Sequence, residues 1–97
     1  MMELPAIRED LNHSFGLDLP EAASLDALTV VLADRINTMI TGDFNRLVSL
    51  LYRIDVNEAK LKKLLRENPG VDAGLLIARL ILERQWQKIE TRRKYRS

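Results

Sequence analysis

From Ala73 to Arg93 the chain carries one helix-periodic stretch with two apolar faces, and few small folds accommodate such an element. Leu75, Ala78, Leu82, Trp86 and Ile89 recur at spacings of three and four, which makes one stripe of an α-helix. Leu76, Ile77, Leu80 and Ile81 fall roughly on the opposite side, and only in the first half. A helix apolar on both sides has to be covered on both sides. One cover is the chain itself, with a central helix lying on the second and third helices and under the N-terminal segment. The other is a second copy meeting Leu76, Ile77, Leu80 and Ile81 across a symmetric dimer seam, cyclic dimers being the commonest oligomers. Periodicity alone does not choose between them.

The remaining pattern is helical throughout. Pro5 suits a first helical position, Leu4, Ile7, Leu11 and Phe15 line one side, and Gly16 supplies a stop. Leu17 to Pro20 reads as a connector. A second helix is expected from about Glu21 to Thr41, with Leu25, Leu28, Leu32, Ile36 and Met39 on its core stripe. Asp43 is a good N-cap for a third, Phe44 to Ile54, whose apolar side is Phe44, Leu47, Val48, Leu51 and Ile54. Asp55 with Glu58 reads as a capping box opening a fourth helix, Val56 to Glu67, or a kinked continuation of the third. Asn68-Pro69-Gly70 is a break.

No two-residue alternation bounded by turns occurs, so no sheet is expected. The prediction is a single all-α domain over 1–97, a small up-and-down bundle of four to five helices with a long C-terminal helix. Residues 1–20 make its short N-terminal helix and connector, and 94–97 a frayed basic tail. The fourth helix covers barely half the length of the last, so the Trp86-to-Tyr95 end is expected to project beyond the bundle.

A chain of 97 residues, 46% hydrophobic and 30% charged, suffices for one core. It has no cysteine, which removes disulfides, thiolate catalysis and Cys-based zinc sites. The opening Met1-Met2-Glu3-Leu4-Pro5 is not a secretory leader pattern, and Arg79 interrupts an apolar run too short for a bilayer. A cytoplasmic address with no membrane contact is expected. Net charge is +1, but its distribution is uneven. Residues 1–43 hold eight acidic side chains against two basic ones, and residues 84–97 hold six basic against one acidic. Such asymmetry marks either a polyanionic partner or an electrostatic match within or between chains.

The basic tail, Arg84, Lys88, Arg92, Arg93, Lys94 and Arg96, interleaves with Trp86 and Tyr95, and Lys60, Lys62, Lys63 and Arg66 form a second cluster. Cations neutralise phosphates and aromatic rings stack on bases. Cations are also favoured in a last helical turn by the macrodipole, and Trp86 lies on the core stripe. His13 falls opposite Leu4, Leu11 and Phe15, toward solvent, and no carboxylate is obliged to orient it. The Glu-x-x-His pattern of helical di-metal sites, phosphate-cradling glycine loops and nucleophile elbows are absent. No catalytic residue, cofactor site or metal site is expected, and the chain is read as a non-enzyme.

The run Asp43-Phe44, Leu47-Val48, Leu50-Leu51-Tyr52-Arg53-Ile54-Asp55-Val56, Lys60-Leu61 and Glu83-Arg84-Gln85 resembles small bacterial all-α proteins with no assigned function, over roughly residues 25–93. The resemblance implies a compact helical domain of bacterial origin and brings no activity or catalytic residue.

The function expected is protein–protein contact: a homodimer, or an adaptor for an acidic protein partner, through the last helix. Its interface residues are Leu76, Ile77, Leu80 and Ile81, rimmed by Arg84 and Lys88. The alternative is a nucleic-acid-binding module using Lys60, Lys63, Arg66, Arg92, Arg93 and Lys94.

Overall fold

The structure, a computed structural model, describes residues 3–95. Five helices follow one another: α1 (Leu4–Phe15), α2 (Leu25–Gly42), α3 (Phe44–Ile54), α4 (Glu58–Glu67) and α5 (Ala73–Lys94), with no strand among the described residues. The all-α class and the long last helix are as the periodicity predicts.

Helix boundaries follow local capping chemistry. Gly16 stops α1 in the left-handed region (φ 61°), donating its N–H to the Asn12 carbonyl. Ser24 accepts from the Ala27 N–H, so α2 opens four residues later than expected. Asp43 caps α3 as predicted, accepting from Arg46 N–H. Asp55 departs from its predicted role as the opening of a capping box. It sits at φ 65° and donates its N–H to the carbonyls of Leu51 and Tyr52, which ends α3. Asn57 caps α4 instead, by accepting from Lys60 N–H. The two helices are therefore separate, not one kinked rod.

The most extensive packing is between α2 and α5. Asp72 caps α5 through Leu75 N–H, and the same carboxylate accepts from the Asn37 side chain near the end of α2. The end of α2 thus meets the start of α5, and the pair runs antiparallel. The approach is close at Gly74, where a Cβ would sit 2.5 Å from the Asn37 side chain. Leu28, Leu32, Ile36, Ile81 and Leu82 fill the space between, joined by Leu47 and Ile54 of α3. Each such buried side chain stabilises the fold by about 1.5–3 kcal/mol.

Three packing assignments differ from the sequence-based ones. The connector after α1 is core: Leu17 and Leu19 are buried, with Asp18 in the left-handed region between them (φ 52°). Asn12 reads both backbone groups of Leu19, accepting its N–H at 2.6 Å and donating to its carbonyl at 2.9 Å. The buried stripe of α3 is rotated to Leu47, Leu50 and Ile54, leaving Phe44 and Val48 outside. The end of α5 does not project, because α1 lies along it and helps bury Trp86 and Ile89.

Candidate functional site

The second apolar face of α5 is covered by the chain's own helices. Leu76, Ile77, Leu80 and Ile81 are 3%, 5%, 6% and 0% exposed in a single copy. Ile77 and Ile81 belong to the main core cluster, whereas Leu76 and Leu80 are buried outside it. Beyond Leu80, α4 is tied down by Lys60 Nζ to Glu83 at 2.9 Å, and the α3–α4 corner by Arg84 to the carbonyl and carboxylate of Asp55. The expected dimer seam at these four residues thus gives way to core, since no partner reaches them while the helices stay packed. Of the two rim residues, Arg84 is engaged at that corner, and Lys88 donates to the Arg53 carbonyl at 3.4 Å.

Part of the charge asymmetry is met within the chain. Arg93 grips Glu3 through both guanidinium nitrogens at 2.9 and 2.7 Å, and Arg92 reaches Asp10 at 2.6 Å. Buried Gln85 also donates to Asp10. Arg93 lies over the Trp86 ring, 5.5 Å from its centre. Among the nucleic-acid candidates, Lys60 pairs with Glu83 and Lys63 with Glu67, while Arg66 and Lys94 show no ion pair among the described residues. Arg96, the last member of the predicted basic tail, lies outside the described residues.

The hydrogen bonds from Arg93 hold the Glu3 carboxyl below its ordinary value of 4.5, with burial acting the other way. A depressed carboxylate contributes stability that is present above the unfolded value and lost as pH falls through the folded one. The start of α1 should therefore loosen on α5 only below pH 4.5. Both groups are exposed, so the effect is small. Thermal melts of the parent and Glu3→Gln should differ at pH 7 and converge at acid pH. Equal melts at both would remove the linkage.

Phe44 and Val48, which the sequence reading assigned to the core, are open, and Tyr52 joins them. Phe44, Val48 and Tyr52 are 58%, 51% and 86% exposed, and successive spacings of four place them in one line along α3. Half-buried Leu51 borders the line, and Asn45 and Ser49 lie on its other side. The sequence held one signal of this. Seven of the eleven α3 positions are apolar or aromatic, too many for one buried stripe.

His13 is exposed, as expected, and no group of three His, Cys, Asp or Glu poised for a metal occurs among the described residues. Among the described residues no helix is long and apolar enough to cross a membrane. No protein-family model, curated protein or solved structure matches the chain.

Proposed function

We propose that this chain is a non-catalytic self-association module whose copies meet through the Phe44–Val48–Tyr52 row of α3. The observation that carries the reading is the exposure of three large apolar side chains in one helical line. The C-terminal helix, first expected to make the contact, acts instead as the central strut against which α3 is held.

The row is self-complementary. Two rows packed antiparallel about a two-fold axis at Val48 bring the two valines together and set each Phe44 against the partner's Tyr52. Aromatic pairs of that kind add about 0.5–1.5 kcal/mol beyond their burial. Rows spaced by four interdigitate with their like at about −50°, the commonest helix crossing. The exposed parts of the three side chains amount to on the order of 400 Å² per copy, the size of a patch that is often functional on a monomer. A standard interface takes about 800 Å² per partner, so with its flanks the row suits a small, reversible dimer of roughly micromolar affinity. The nucleic-acid alternative has less to stand on, because four of its six residues already hold carboxylates.

Light scattering on a sizing column over a concentration series tests the reading. The expected result is a dimer that persists at moderate salt and dissociates in Val48→Glu with the helical content and melting temperature unchanged. A monomer at every concentration, or a dimer that survives Val48→Glu, overturns it.

A further inference from the structure

Between the second half of α1 and the face of α5 opposite it lies an open cleft of about 540 Å³, lined in part by Asp10, Ser14, Arg84, Lys88, Thr91 and Arg92. Three of these are cations at successive spacings of four on α5, so the row rises about 6 Å per step and 12 Å in all. Arg53 of α3 borders them, donating to the Ser14 carbonyl at 3.0 Å. The carboxylates facing this group are Asp10, engaged by Arg92 and Gln85, and Asp55, engaged by Arg84. Three cations of α5 therefore face two carboxylates.

Lys88 is the centre of the imbalance. It stands between Arg84 and Arg92, has no carboxylate partner among the described residues, and makes one long hydrogen bond, to the Arg53 carbonyl. Arg84, Lys88 and Arg53 do satisfy carbonyls at the ends of α3 and α1, which explains why cations gather there. Carbonyl contacts do not neutralise the excess charge. An anion would.

We propose that this cleft binds a small phosphate monoester, its phosphate on Lys88 and Arg92 with Ser14 at the rim. The volume falls within the range of small-molecule sites, about 300–1,000 Å³. The cation row is long enough for one or two phosphates, and the cleft's concavity favours a compact anion over an extended strand. Burial first, and then Arg84, holds the Lys88 ammonium below its ordinary pKa of 10.5, with Asp55 and Asp10 acting the other way.

The test is an NMR titration with glycerol 3-phosphate, at constant ionic strength, with inorganic phosphate and glycerol in parallel. Saturable amide shifts at Ser14, Lys88 and Thr91 are expected with the phosphate ester, weaker ones with phosphate and none with glycerol. Lys88→Gln should lower affinity about tenfold or more, Lys88→Arg should retain it, and Lys62→Gln should leave it unchanged. Removing the unneutralised charge relieves repulsion, so Lys88→Gln should melt no lower than the parent without ligand. Shifts scattered over all surface cations, equal affinity in Lys88→Gln, or a single-stranded oligonucleotide that binds more tightly through Arg66 and Lys94 would each overturn the proposal.

Discussion

Ile81→Glu unfolds the protein rather than altering its oligomeric state. Ile81 is fully buried, between the faces that α2 and α3 present to α5. Deleting a buried isoleucine to a small residue costs about 2–5 kcal/mol, and the new carboxyl adds the cost of burying a polar group without donors. The total stability of a domain this small is about 5–15 kcal/mol, so the combined loss consumes most or all of it. Protonation of the carboxyl lessens the cost without supplying hydrogen-bond partners. Far-UV circular dichroism at 25 °C should show the helical signal largely lost, while Val48→Glu, one turn along the exposed row of α3, retains it. A folded, soluble Ile81→Glu chain would mean that this face of α5 is not core, and would return the dimer seam to consideration.

Asn12→Ala lowers stability by about 2 kcal/mol, equivalent to a melting temperature roughly 10 °C lower for a chain of this size. The substitution touches no core hydrophobe. Asn12 holds both backbone groups of Leu19, itself 1% exposed, and the Arg8 side chain adds a bond to the same carbonyl at 3.0 Å. Without the amide, the Leu19 N–H loses its acceptor in a place water does not readily reach, which is the costly way to lose a hydrogen bond. The carbonyl keeps Arg8. Asn12→Asp retains an acceptor for the N–H and should fall between the parent and alanine in a calorimetric melt. If alanine melts within a degree or two of the parent, Leu17 and Leu19 are held in the core by their own burial and the amide is incidental.

The two substitutions probe features of different legibility. That Ile81 belongs to a helix with two apolar faces was plain from its spacing to Ile77 and Leu80. What covered it was not, because periodicity reports which side of a helix avoids water and says nothing of what lies there. Asn12 carried no signal. Its partner lies seven residues away across a left-handed Asp18, and such side-chain-to-backbone bonds depend on the path of the chain rather than on local pattern.

The candidate site divides in the same way. The charge asymmetry was legible, and so was an intramolecular match as one of its explanations. Which carboxylate meets which cation required α1 to lie along the second half of α5, bringing Glu3 to Arg93 and Asp10 to Arg92. Helix α3 shows the limit most clearly, since its apolar residues spread over more of its circumference than one partner covers. The stripe through Phe44 and Val48 fitted the sequence as well as the one through Leu50, and packing buried the latter.

By itself the sequence determined the all-α class, the stops at Gly16 and Asn68-Pro69-Gly70, the cap at Asp43, and the presence of a two-faced last helix. These are set within a few residues, by backbone hydrogen bonding, glycine and proline geometry, and the 3.6-residue repeat. Only the tertiary structure decided that α5 is central, that the α1–α2 connector is core, and that the open apolar row lies on α3. Each of these depends on which surfaces meet across long stretches of chain, and burial rewards any apolar surface without specifying its neighbour.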